Sequence, residues 1–148
     1  MVIISPVFEA NGFIPKKFTC DGGNMNPELE IQNLPDGVKS LALIVHDPDA
    51  PHPGGFTHWV MWNIDPMATT IKEESVPPGA VEGENGSGEI GFIAPCPPSG
   101  VHHYHFMLYA LDTKLNLPLS SGKEELLGAM EGRIIEKAEL VGLYQRQQ

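Results

Sequence analysis

The run from Val101 to Leu111 constrains this chain most. His102, Tyr104, Phe106, Leu108 and Ala110 occupy every second place, with His103, His105, Met107 and Tyr109 between them. Side chains of a strand alternate between faces, so this pattern predicts a strand whose inner face is the apolar one. Ser40 to His46 is a nearly continuous apolar run, as expected of a central strand covered on both sides. Thr57 to Ile64 alternates again and ends at Asp65-Pro66. Simple alternation puts His58, Val60, Trp62 and Ile64 on one face and Thr57, Trp59, Met61 and Asn63 on the other. Val2–Ile4 and Leu29–Ile31 read as short strands, stopped by Pro6 and by the turn Leu34-Pro35-Asp36-Gly37.

A single helix is expected, near the C-terminus. Ser121-Gly122-Lys123-Glu124 has the form of a capping box. Leu127, Met130, Ile134 and Ala138 follow as one apolar stripe, and Gly142 is the expected stop. From Val76 to Gly91 the chain is rich in Pro, Gly, Glu and Ser, which predicts a long loop with little regular structure. No alternation of strand and helix favours a parallel sheet. The expected class is mainly β: an antiparallel β-sandwich of two sheets with a C-terminal helix, one domain over residues 1–148.

Charge removes several functions. The formal net charge is −10, which opposes nucleic acid and electrostatic docking on anionic membranes, since both need excess Lys and Arg. No apolar stretch is long enough to span a bilayer. Met1 to Pro6 lacks the basic region and apolar core of a signal peptide, so a cytoplasmic protein is expected. In that compartment Cys20 and Cys96 are expected as two free thiols. Nothing asks for a cofactor. The oligomeric state, monomer or homodimer, is left open.

The chemistry gathers around Asp47-Pro-Asp-Ala-Pro-His-Pro-Gly-Gly-Phe-Thr-His-Trp59, a loop between two strong strands. Its prolines fix φ and make it stiff, which suits a pocket whose groups must stay in place; a cis bond at Pro51 or Pro53 is expected. With the strands as neighbours, Asp47, Asp49, His58, His102, Tyr104 and the turn Pro95–Gly100 meet in one place. Imidazoles, a phenol and backbone N–H groups form an anion pocket, with Asp47 holding a histidine or meeting a ligand's ammonium group. The alternative is a hydrolase or metalloenzyme using His58, His102 and Asp47. Against it, HExxH, paired CxxC, Gly-x-Ser-x-Gly and P-loop patterns are all missing from the sequence. For Cys96 as a nucleophile, the sequence offers only nearness to His102.

Asp47-Pro-Asp-Ala-Pro51, His58-Trp59 before Asn63-Ile64, and Pro97-Pro-Ser-Gly-Val-His-His-Tyr104 resemble the three signatures of the phosphatidylethanolamine-binding protein family. Thr19-Cys-Asp-Gly-Gly23 with Asn26-Pro27 resembles its N-terminal motif, and Leu126 to Gly142 its C-terminal helix. The resemblance covers nearly the whole chain and is nearest to the prokaryotic branch, similar to Raf kinase inhibitor protein. It implies a two-sheet sandwich with a pocket for phosphate-like groups, phospholipid head groups included. The implied ligand-binding residues are Asp47, Asp49, Pro51, His58, Cys96 through its backbone, His102 and Tyr104. The implied role is a binding or inhibitory protein with a kinase or serine protease as partner, not an enzyme. Three departures stand out. His103 replaces the family's usual Arg, Ala94 replaces a Gly before the Pro-Cys turn, and the long C-terminal segment of animal members is missing.

Overall fold

Ser40 to Asp47 forms strand β3 at the centre of a five-stranded antiparallel sheet, and the reason is its composition. Every residue but His46 is buried, which only a strand covered on both faces allows. The structure is a computed structural model that describes residues 1–146. Its strands are β1 (Val2–Ile4), β2 (Leu29–Gln32), β3, β4 (Phe56–Ile64), β5 (Thr70–Ile71), β6 (Val81–Glu82), β7 (His102–Leu111) and β8 (Ile134–Tyr144); the helix α1 spans Lys123–Met130. The large sheet has the order β6-β4-β3-β7-β8, and a three-stranded antiparallel sheet has the order β1-β2-β5. The mainly β, two-sheet architecture with a helix near the C-terminus is thus the one expected.

Between the sheets lies the main core. Ile3, Leu29, Ile31 and Ile71 from the small sheet meet Leu41, Leu43, Val45, Trp59, Met61, Tyr104, Phe106 and Leu108 from the large one. On the far face of the large sheet, Ala42, Ile44, Val60, Trp62 and Tyr109 are covered by Leu126 and Met130 of α1. Burial of a large apolar side chain is worth about 1.5–3 kcal/mol, so these two layers dominate the stability.

Four expectations are corrected. First, the helix ends at Met130 and does not run to Gly142. Gly132 turns the chain at φ 76°, and Ile134–Tyr144 pairs with β7 along its length, Ala138 opposite Leu108. Ile134 and Ala138 are four residues apart, a spacing that keeps two side chains together in a helix and in a strand alike. The β-branched Ile134, Ile135 and Val141 favour the strand. Nor does Ser121 cap the helix: Gly122 is the N-cap residue and no side-chain cap bond forms.

Second, segment 76–91 is partly regular. β6 pairs with β4, and Glu84 bridges to Ile90. Third, β4 does not alternate simply. Val45 pairs with Trp59 but His46 pairs with Thr57, so His58 is the extra residue of a β-bulge. A second irregularity, where Asn63 takes φ 54°, returns Ile64 to the side of Trp59 and Met61. Fourth, every described peptide bond is trans, those before Pro51 and Pro53 included. The loop is shaped by turns, His52 N–H to Ala50 O at 2.8 Å and Gly55 N–H to His52 O at 2.9 Å.

Candidate functional site

β3 ends at Asp47, β4 enters through the His58 bulge, and β7 begins with His102. Because β3 lies between β4 and β7, these three termini stand side by side at one end of the large sheet. They floor a cleft of about 250 Å³. The loop after β3 gives one wall, with Ala50, Pro51, His52 and Phe56; segment 93–98 gives the other, with Ile93, Ala94, Cys96, Pro97 and Pro98. Gly55 lets the first loop return: its φ is 85°, and a Cβ there would lie 2.4 Å from the Asp47 carbonyl oxygen.

Asp47 is 2% exposed, and a buried carboxylate is tolerated only when paired. Its Oδ2 accepts a hydrogen bond from His102 Nδ1 at 2.6 Å, and its Oδ1 accepts the Asp49 N–H at 2.8 Å. With Nδ1 committed, the second nitrogen of His102 is the one left for the cleft. His58 is bound differently. Its Nδ1 lies 2.7 Å from the Ile93 carbonyl oxygen, which only accepts, so Nδ1 carries the proton and the neutral ring offers Nε2 as an acceptor. Burial pushes the His58 pKa down, opposed by the Ile93 bond and the Asp47 charge. The ring packs edge-on against both Phe56 and Tyr104, at centroid distances of 5.0 and 5.2 Å.

Tyr104 is wholly buried, and its hydroxyl has no hydrogen-bond partner among the described residues. Such a group costs about 1–3 kcal/mol. Burial first, and the Asp47 and Asp49 charges second, push the phenol pKa well up, so the hydroxyl stays protonated and able to donate.

Six of the seven expected site residues line this cleft: Asp47, Pro51, His58, Cys96, His102 and Tyr104. Asp49 does not. Its Oδ2 accepts the backbone N–H of His103 at 2.8 Å and the His103 ring Nδ1–H at 2.7 Å. Asp49 thereby latches the Pro-rich loop to β7 from outside, and His103, in the place of the family's Arg, is the partner. Those bonds hold the Asp49 pKa below the usual carboxylate range.

The expectation of free thiols is overturned. Cys20 and Cys96 form a disulfide with Cα atoms 5.4 Å apart, although 76 positions separate them in the sequence. Sequence spacing says nothing of that proximity, which folding alone creates. Cys96 is therefore no nucleophile. The bond, with Cys20 N–H to Pro95 O at 3.1 Å and Ala94 N–H to Asn24 Oδ1 at 3.0 Å, straps the second wall to the turn at residues 19–24. The apolar wall, Phe56 and Ile93 above all, was not picked out from the sequence. Its one signal was position, since both residues flank His58 in space or in chain.

No Lys or Arg lines the cleft among the described residues, and no group of three or more His, Cys, Asp or Glu among them is placed to hold a metal ion. No helix among them is long and apolar enough to cross a membrane.

Fold and cleft together define a class: a mainly β protein of two antiparallel sheets, with a small cleft at one sheet end floored by a buried Asp–His pair and a tyrosine. The chain matches the family model described as phosphatidylethanolamine-binding protein over residues 4–145, and it belongs to that family. It is 51% identical over 151 residues to a UPF0098 protein of Pyrococcus horikoshii, covering 97% of this chain and 76% of that one. It superposes on the crystal structure of the phosphatidylethanolamine-binding protein homologue CT736 from Chlamydia trachomatis with a TM-score of 0.95 at 41% identity, over 99% and 97% of the two chains. On Escherichia coli YbcL the TM-score is 0.89 at 32% identity, over 98% of each chain. These relatives put the chain in the prokaryotic branch.

Proposed function

We propose that this protein binds a small phosphate-like anion, a phospholipid head group among them, in the cleft of Asp47, His58, His102 and Tyr104. Occupancy of the cleft then modulates a protein partner, a kinase or a serine protease. The observation that carries the reading is the Tyr104 hydroxyl, a buried donor without a protein acceptor, in the cleft where His102 is held by Asp47. A buried donor without a partner is costly, and a ligand oxygen removes that cost. The apolar walls, Pro51, Phe56, Ile93 and Ala94 among them, lower the local dielectric and strengthen each polar contact. The partner rests on family membership.

The test is a titration with inorganic phosphate and with phosphoethanolamine, followed through the ring resonances of His58 and His102. Both rings are expected to shift together in wild type, and the His58 ring to stop responding in His102→Ala. Tyr104→Phe, which keeps the Asp47–His102 pair, gives a second variant that needs no broken ion pair. Silent rings in the wild type would refute the reading.

The 2.6 Å Asp47–His102 bond also favours one second reading, in which His102 is a general base that activates water for hydrolysis. Steady turnover of p-nitrophenyl phosphate, lost in His102→Ala, would establish it in place of simple binding.

A further inference from the structure

We infer that the Cys20–Cys96 bond is a thiol–disulfide exchange site through which an external dithiol controls the cleft: reduction releases the wall at residues 96–101 and weakens anion binding. The inference rests on the anion-binding reading above and adds a regulation of that same site.

The two cysteines stand on different ground. Cys20 belongs to the turn at residues 19–24, which is pinned without the disulfide. Thr19 Oγ1 donates to the Lys16 carbonyl at 2.8 Å and accepts the Asp21 N–H at 3.2 Å. The Gly23 N–H reaches the Lys17 carbonyl at 2.8 Å, and Asp21 Oδ2 accepts the Tyr144 hydroxyl of β8 at 2.6 Å. Gly22 is packed so closely that a Cβ there would lie 2.2 Å from the Lys16 carbonyl oxygen. Cys96 belongs to the cleft wall, with Pro97 and Pro98. That wall is pinned as far as Pro95. The Ile93 N–H donates to the His58 carbonyl at 2.9 Å and the Ile93 carbonyl accepts from the His58 ring, while Ala94 is bonded to Asn24 and Pro95 to Cys20.

Beyond Pro95 the bonds stop. Among the described residues no hydrogen bond reaches residues 96–101, and Pro97 and Pro98 have no N–H to offer. The disulfide is the one bond that ties this stretch down before His102 begins β7. Without it, the burial of Pro97 is what remains. The stretch runs straight into His102, so its placement sets the shape of the cleft beside that ring. Cys20 and Cys96 are both exposed, which lets a dithiol approach the bond in the folded chain. A thiolate of the dithiol attacks one sulfur, and the other cysteine leaves as a thiolate and takes up a proton. The second thiol of the reagent then attacks the mixed disulfide, frees the second cysteine and closes its own disulfide; two electrons pass to the protein and the reagent is oxidised. The turn and residues 93–95 keep their hydrogen bonds, while residues 96–101 regain their freedom. A ligand that needs the wall in place then binds only the fraction of molecules that have it.

Inorganic phosphate and dithiothreitol test this on the full chain. Wild type is titrated with phosphate before and after reduction, with the histidine ring resonances as the readout and far-UV circular dichroism as the check on the fold. The reduced chain is expected to keep its β signal and to bind about tenfold more weakly, as a wall in place about a tenth of the time requires. Linkage makes the same coupling visible from the other side. In mixtures of reduced and oxidised dithiothreitol, saturating phosphate should make the Cys20–Cys96 midpoint potential about 30 mV more negative, the two-electron equivalent of a tenfold ratio. That measurement needs no variant. Cys20→Ser/Cys96→Ser should bind phosphate like the reduced wild type, and dithiothreitol should no longer change its affinity. Equal affinity in the two redox states, a midpoint that phosphate does not move, a bond that excess dithiothreitol leaves intact in the folded chain, or loss of the fold on reduction each overturns the switch while the anion-binding reading stands. An oxidised chain that binds no phosphate overturns both.

Discussion

Replacing Tyr104 by Phe separates stability from binding, because the two should move in opposite directions. The ring of Tyr104 packs in the core between the sheets, but its hydroxyl is buried without a protein partner. Phe keeps the ring and removes the oxygen. An unsatisfied buried hydroxyl costs about 1–3 kcal/mol, and some of that gain is offset by the small void left behind. A net stabilisation of about 1 kcal/mol is expected. With a urea dependence of about 2 kcal/mol per molar, the unfolding midpoint should rise by roughly 0.5 M. The same oxygen is a donor to the proposed anion. A hydrogen bond to a charged group is worth about 1.5–3 kcal/mol, so phosphate affinity should fall roughly 10- to 100-fold. Urea unfolding without ligand and phosphate titration of the folded variant read the two effects separately. A variant that is less stable than wild type, or one that binds phosphate unchanged, refutes the reasoning: the hydroxyl would then have a structural partner, or no part in the ligand site.

Three further outcomes are expected. Removing the Cys20–Cys96 bond, which closes a separation of 76 residues, in a Cys20→Ser/Cys96→Ser variant should cost about 4.5 kcal/mol on loop-closure entropy; a loss under about 1 kcal/mol by non-reducing urea unfolding would count against the strap. Asp47→Ala leaves His102 without its buried partner and should cost about 3–5 kcal/mol, whereas Asp49→Ala, whose pair with His103 is largely exposed, should cost less than about 1 kcal/mol. Because burial lowers the folded-state pKa of His58 below its unfolded value, the unfolded chain takes up the proton first. Stability should therefore fall as the pH drops below about 6.5. That slope should be shallower in His58→Phe when urea midpoints are compared from pH 7.5 to pH 5, and equal slopes would show that another group dominates, His46 with its similarly lowered pKa being the first suspect.

Where one reading of a pattern excluded the others, the sequence sufficed. The apolar run of β3 admits only a strand covered on both faces, and it lies between the cores. Alternation in β7 separates His102 and Tyr104 from His103 and His105, and the first pair is buried while His103 is exposed. The motifs around Asp47, His58 and Pro97–Tyr104 carried the family. Local pattern failed where two structures satisfy it equally. A spacing of four suits helix and strand; the β-branched residues lean toward the strand, and pairing along the edge of β7 decides it for Ile134–Tyr144. His58 turns toward Tyr104 because a bulge adds one residue to β4, and a bulge depends on the partner strand, not on the residues that form it. The disulfide, the latch from Asp49 to His103 and the unpartnered Tyr104 hydroxyl all depend on which distant segments meet. Propensity and periodicity act over a few neighbours and so are written in the chain. Proximity across 55 or 76 positions, as in His102 with Asp47 and Cys96 with Cys20, exists only once the sheets have packed.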